Sequence, residues 1–228
     1  MADRTSPAYG AEPHYLPAMG RRWLLPLYDP FTRLAGISRV HGELLDRADV
    51  RPGQRVVEIG SGTGNLLLLA ARRHPEAELI GLDPDPAGLA RTARKAARAR
   101  LTVRLERGFA GALPFPDASV DRVLSAFMLH HLAPAEKERA LAEVRRVLRP
   151  GGQFHAVDMD GHGSHHGPAG WFARRSHRLA DNGPDRLLEA LHRAGLANAA
   201  HTGTAKTPLT HPAFYTATAP TQPPGTPA

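Results

Sequence analysis

The residues best suited to chemistry fall into three groups along the 228-residue chain. The first is Glu58-Ile59-Gly60-Ser61-Gly62-Thr63-Gly64, an acid followed by glycines at every second position. Glycines let a backbone turn sharply and approach a ligand where a Cβ would collide. The second is Asp83, which closes Gly81-Leu82-Asp83. A carboxylate roughly twenty residues beyond a glycine loop can accept both hydroxyls of a ribose. The third is a set of side chains able to move protons: His130, His131, His155 and Asp158, then His162, His165 and His166. Spacing narrows the ligand. A dinucleotide fingerprint G-x-G-x-x-G needs glycine at position 65, where this chain has Asn65, and there is no G-K-[ST] for a nucleoside triphosphate. Loop and acid together imply an adenosine-type ligand. The alternative is structural: the glycines make a tight strand-to-helix turn, and Glu58 and Asp83 answer helix dipoles.

Strands and helices must hold these groups in place. Arg55 to Ile59 reads as a buried strand, and Asn65 to His74 as a helix opened by glycines. Leu79 to Leu82 is a second strand, followed by a helix from Pro86 to Arg100 with proline in its first turn. Leu101 to Leu105 is a third strand and Val120 to Phe127 a fourth. The helix Pro134 to Leu148 puts Leu141, Val144 and Leu148 on one face. The turn Arg149-Pro150-Gly151-Gly152 launches a fifth strand, Gln153 to Asp158. A helix from about Pro184 to Ala194 is stopped by Gly195. Two β-prone stretches, about Ala197 to Ala205 and Pro212 to Thr218, close the sheet as an antiparallel pair. The fold class expected is α/β: a Rossmann-like, doubly wound, seven-stranded sheet, mostly parallel, with that antiparallel pair at its carboxyl-terminal end. In such a sheet, ligands bind beyond the carboxyl ends of the strands where the strand order reverses.

Around this domain, expected at 51–218, residues 1–12 and the Pro/Thr tail 219–228 lack apolar periodicity and read as disordered. Residues 13–50 read as a helical arm. Its apolar part, Tyr15 to Gly20 and Trp23 to Leu27, serves either as a lid over the site or as packing along the sheet. Trp171-Phe172 poses the same question. No apolar h-region opens the chain, and the longest apolar stretch, Leu66 to Ala71, is too short to span a bilayer; a cytoplasmic protein without a membrane span is expected.

Four segments in order, VVEIGSGTGNLLLLA, LIGLDPD, ALPFPDASVDRVLSAFMLHHL and EVRRVLRPGGQFHAVD, resemble the class I S-adenosylmethionine-dependent methyltransferases. The resemblance is closest to the group related to the ubiquinone/menaquinone-biosynthesis C-methyltransferases, and it runs from Tyr28 to about Asp158. It implies S-adenosyl-L-methionine as cofactor. It also implies that Glu58 stiffens the glycine loop and faces the methionine amino group, over a floor of Gly60, Ser61, Gly62 and Gly64. Asp83 would hold the ribose, Pro84 would pack on the adenine face, and Gly108-Phe109-Ala110 would follow the adenine edge. Ser125 would lie beside the sulfonium, and Tyr28-Asp29 would fold over the cofactor. Phe109 departs from the family, which commonly has an acid there for the adenine amino group; for Phe109 and Pro84, simple packing is an equal reading.

Methyl transfer from a sulfonium asks mainly for alignment, and for a base only where the acceptor must lose a proton. His130 is the candidate base, its alternative being a helix-start role. No metal is expected: His162, His165 and His166 read as a solvated loop. The formal charge of +7 raises the question of nucleic acid. Yet Arg91, Arg94, Lys95, Arg98, Arg100, Arg104 and Arg107 read as a solvated face without interleaved aromatics, and no N/D-P-P-Y/F motif follows the fourth strand. With no cysteine, thiolate chemistry on pyrimidines or arsenite is excluded. The partner expected is a small-molecule acceptor, possibilities being quinone-like, phenolic or lipid-like compounds. The rival readings are an RNA methyltransferase and a non-catalytic cofactor-binding or scaffold protein of the same fold.

Overall fold

The short apolar run Arg55–Ile59 becomes the central strand β1 because its side chains find cover on both faces, four of its five residues being buried. In the computed structural model, which describes residues 36–159, 184–207 and 211–221, the chain runs as follows. Helix α1 (Ile37–Ala48) precedes β1; then come α2 (Asn65–Arg73), β2 (Glu78–Asp83), α3 (Pro86–Ala99) and β3 (Arg104–Arg107). Next are β4 (Val120–Ala126), a single 3₁₀ turn (Leu129–His131), α4 (Pro134–Val147) and β5 (Leu148–Met159). The chain closes with α5 (Pro184–Arg193), β6 (Ala197–Thr204) and β7 (Pro212–Thr218).

The seven strands form one sheet in the order β3-β2-β1-β4-β5-β7-β6. The first five are parallel, and β7 runs antiparallel to both β5 and β6. The order reverses between β1 and β4, so their carboxyl ends flank the crevice where such sheets take ligands. Two apolar layers sandwich the sheet. On one face Leu141, Val144 and Val147 of α4 and Leu187 and Leu191 of α5 pack with Val57, Ile59 and Val123. On the other, Val40, Leu44 and Leu45 of α1 and Leu66, Leu67 and Ala70 of α2 pack with Val56, Leu124 and Val157.

Local chemistry fixes the helix ends. Asp85 caps α3 by accepting from the Ala87 N–H at 3.0 Å, with Pro86 at the first helical position. Glu136 accepts from the Ala133 N–H at 3.0 Å at the start of α4. Gly195, at φ 78°, ends α5: its N–H reaches the His192 carbonyl, and that of Leu196 reaches Leu191.

Four expectations are corrected. The edge strand β3 is Arg104–Arg107, not Leu101 to Leu105, because the Leu101 N–H closes α3 on the Ala96 carbonyl. The Arg149–Gly152 turn is absorbed into β5, which advances from Leu148 to Gln153 while β4 advances only from Val120 to Arg122. Within the arm expected at 13–50, helix α1 packs into the core, while residues 13–35 lie outside the described residues. Ala219, read as the first tail residue, is fully buried and exchanges hydrogen bonds with Gly151 and Gly152. No helix among the described residues is long and apolar enough to cross a membrane.

Candidate active site

At the end of β1 the backbone turns under the glycines. Gly60, Gly62 and Gly64 have φ of 70°, 51° and 75°, a region that side chains with a Cβ enter at a cost. A Cβ on Gly60 would lie 2.3 Å from Met128 Cγ, and one on Gly64 would lie 2.3 Å from Thr92 Cγ2. Around Gly62 the space is open. The N–H groups of Gly60 and Ser61 both donate to the Leu82 carbonyl, at 2.8 and 3.1 Å, which ties the loop to the end of β2.

Helix α3 presses on this loop from outside. A Cβ on Gly88 would lie 2.8 Å from the Gly62 carbonyl oxygen, so only glycine permits the approach. Thr92 Oγ1 lies 3.2 Å from the same oxygen, and Lys95 Nζ donates to the Thr63 carbonyl at 2.8 Å and to Asn65 Oδ1 at 2.6 Å. The sequence reading missed this clamp and left Lys95 on a solvated face. Its signal was the spacing Gly88, Thr92, Lys95, which lines one side of a helix.

Asp83 stands at the carboxyl end of β2 and is 5% exposed. Its Oδ2 accepts from the Gly62 N–H at 2.7 Å and its Oδ1 from the Asp85 N–H at 2.8 Å. Burial holds its carboxyl above the usual range, partly countered by those two N–H groups. Asp83 therefore shapes the glycine loop itself, a role the sequence reading did not assign.

Glu58 is 3% exposed, and its Oε2 has no hydrogen-bond partner. Burial pushes this carboxyl well above the ordinary range, and the nearby Asp83 adds to the shift. The Leu67 N–H, an orphan donor in the first turn of α2, and the charge of Lys95 act in the opposite direction. Ser61 Oγ and Ser125 Oγ are likewise buried without partners, and Ser125 pairs in register with Ile59 at the end of β4. Buried polar atoms left unpaired are rare, and each calls for a missing partner. Three of them lie at or next to the carboxyl ends of β1 and β4, where the strand order reverses.

Pro84 is half-buried beside Asp83. The Gly108 N–H donates to the Asp83 carbonyl at 3.3 Å, which brings the segment with Phe109 and Ala110 to the same edge. Phe109 is 38% exposed, the one large apolar side chain lying open among the described residues. Tyr28 and Asp29 lie outside the described residues, as do His162, His165, His166, Trp171 and Phe172. Among the described residues no three His, Cys, Asp or Glu side chains come together as a metal site.

Of the candidate proton carriers, the structure joins two. His130 Nδ1 lies 2.5 Å from Asp158 Oδ1, and the His130 N–H donates to Asp158 Oδ2 at 3.0 Å. Asp158 is 1% exposed; burial pushes its carboxyl up, but the charge and hydrogen bonds of His130 and the Met159 N–H outweigh that and leave it below the usual range. The His131 ring, tilted, sits 3.9 Å from that of His130. His155 alternates to the opposite face of β5 with Val157, where burial and the charges of Arg122 and Arg47 push it down to about 4. It takes no part in the site.

Residues 56–152 match the family profile described as a methyltransferase domain. A demethylmenaquinone methyltransferase of Thermus thermophilus is 39% identical over 139 residues, which is 60% of this chain and 62% of that protein. A ubiquinone/menaquinone biosynthesis C-methyltransferase of Bordetella avium is 39% identical over 127 residues, 55% of this chain and 49% of its own length. The chain thus spans about half to three fifths of these curated relatives. Among solved structures, a SAM-dependent methyltransferase from Aquifex aeolicus superposes with a TM-score of 0.65 at 18% identity, over 84% of this chain and 97% of that one. The [4+2]-cyclase SpnF superposes with 0.67 at 20% identity over 81% of each chain, so the fold alone does not dictate the reaction.

Proposed function

We propose that this chain, a class I S-adenosylmethionine-dependent methyltransferase related to the quinone-biosynthesis C-methyltransferases, binds S-adenosyl-L-methionine at the β1–β4 crevice and methylates a small molecule. The observation that carries this reading is the unpaired Oε2 of buried Glu58 beside the open glycine loop. A buried carboxylate with a free lone pair suits an ammonium, which the methionine part of the cofactor carries. Gly60, Ser61, Gly62 and Gly64 suit a ligand lying close to the backbone, and Ser125 offers a hydroxyl at the end of β4. Asp83, with Pro84 and Phe109 beside it, suits the nucleoside end. When bound, the cofactor supplies an activated methyl group on a sulfonium sulfur. The chain's own contribution is to bind it, orient it against the acceptor and exclude water. Kinship with quinone-biosynthesis enzymes favours an acceptor of quinol, phenol or lipid-like type.

The test is calorimetric titration with S-adenosylmethionine, its demethylated product and a nicotinamide dinucleotide in parallel. Saturable binding of the first two alone is expected. Asp83→Ala should weaken both by about 1–3 kcal/mol, because it removes a charged acceptor and releases the Gly62 N–H. Absence of binding in the parent chain would favour the scaffold reading instead.

A further inference from the structure

Helices α1, α2 and α3 meet around a cavity of about 330 Å³, near the lower end of the sizes usual for small-molecule sites. None of the residues assigned above to the cofactor lines it. Its lining divides by chemistry. Ile37 of α1, Leu68 and Leu69 of α2 and Ala99 of α3 supply an apolar wall. Arg72, Lys95 and Arg98 supply three cations, and Ser38 and Asn65 add neutral polar groups. No Asp or Glu lines the cavity. His41 completes it; buried and neutral above about pH 4, it neither adds to nor offsets the charge at pH 7.

The two arginines are placed for a partner from outside the chain. Leu68 and Arg72 share one face of α2, as Lys95 and Ala99 share one face of α3. Arg73, the next residue along, pairs with Asp46 of α1, but no carboxylate among the described residues pairs with Arg72 or Arg98. Guanidinium groups suit phosphate and carboxylate alike. Three cations without an acid favour the more highly charged of the two, since a phosphate monoester carries about −1.5 to −2 at pH 7. The apolar wall beside them asks for an apolar body, which inorganic phosphate and a polynucleotide backbone both lack. Lys95 joins this cavity to the glycine loop, because its Nζ donates to the Thr63 carbonyl and to Asn65 Oδ1. A phosphate in the cavity competes with the loop for that ammonium.

We propose that the cavity is a second ligand site, for a soluble phosphate monoester with a small apolar body, and that its occupancy weakens the hold of the glycine loop on the cofactor. The second half rests on the methyl-transfer reading above; the first does not. The coupling is reciprocal, so bound cofactor lowers the affinity for the ester by the same factor.

The test is calorimetric titration of the full chain with 1-naphthyl phosphate, 1-naphthoate, 1-naphthol and inorganic phosphate. The first should bind at least about 10-fold more tightly than the others, each of which lacks charge or the apolar body. Arg72 and Arg98 are exposed at the rim, so the double variant Arg72→Gln/Arg98→Gln should keep its thermal stability while its affinity for the ester falls about 10-fold. Saturating 1-naphthyl phosphate should weaken binding of S-adenosylhomocysteine, the demethylated cofactor, about 5-fold and then no further. A weakening that grows without limit as the ester is raised puts the ester in the cofactor crevice and overturns the proposal. So does an unchanged affinity for S-adenosylhomocysteine, equal binding of the four probes, or binding that the double variant leaves untouched. Capture of the chain by phosphatidic acid vesicles without binding of the soluble ester overturns it as well, assigning the cations to a lipid headgroup. A parent that does not bind S-adenosylhomocysteine removes the methyl-transfer reading instead, while the four probes against the double variant still decide the cavity.

Discussion

Glu58 and Asp158 are both carboxylates sealed from solvent near the carboxyl ends of parallel strands, yet their acidities move in opposite directions. Burial raises both. At Asp158 three donors overcome it; at Glu58 one backbone N–H and a distant lysine do not, and the nearby Asp83 makes matters worse. Equal burial with unequal partners separates a finished arrangement from an unfinished one. Asp158 already has its hydrogen-bond partners in the chain. Glu58 Oε2 still lacks one, which is what the proposed cofactor would bring.

The largest effect that can break this comparison comes from acid. His41 and His155 stay neutral in the folded chain down to about pH 4, both pushed there by burial, while in the unfolded chain they titrate near 6.5. Their folded values are depressed, so their stability is present above pH 6.5 and is lost as the pH falls toward 4, about 3 kcal/mol each. Glu58 works the other way, since a raised folded value gains stability as the pH falls through it. Urea unfolding from pH 7 to pH 4 should show a net loss, and Glu58→Gln should steepen it. A flat profile would mean that the two histidines are open to water.

Asp158→Ala should cost about 3 kcal/mol at neutral pH, because it strands the N–H groups of His130 and Met159 and the His130 ring. Thermal unfolding without ligand reads this directly. Glu58→Gln should do the reverse, raising ligand-free stability at pH 7 by about 1 kcal/mol while weakening cofactor binding by about 2 kcal/mol, roughly 30-fold. If both substitutions destabilise, the distinction between finished and unfinished carboxylates fails. The smallest effect belongs to Phe109→Ala. Half-open and packed on little, it should alter stability by no more than about 0.5 kcal/mol, while cofactor affinity falls about 5-fold if the ring stacks on the adenine.

The sequence made the parallel half of the sheet legible because its strands are buried on both faces. A run such as Arg55–Ile59 or Val120–Ala126 has few other ways to hide its side chains. The glycine loop was legible for a related reason, since alternate glycines ahead of a helix have few other uses. At the edge this logic weakens. Leu101 and Val103 look like strand residues but only partly cover the core while the chain leaves α3, and hydrogen bonding to β2 starts at Arg104. The pairing of His130 with Asp158 was out of reach for a different reason. Each residue was a candidate, but their meeting depends on the register that sets Ala126 beside Val157. The same holds for Lys95, whose charge resembled its neighbours' until α3 was seen against the loop.

The contact between Gly60 and Met128 has a mechanical consequence. With no room for even a methyl group between them, the turn bearing His130 and the loop of the first strand are a single packed piece. Any side chain at position 60 would have to push that turn aside, so a single substitution in the loop would be felt on both sides of the gap between β1 and β4.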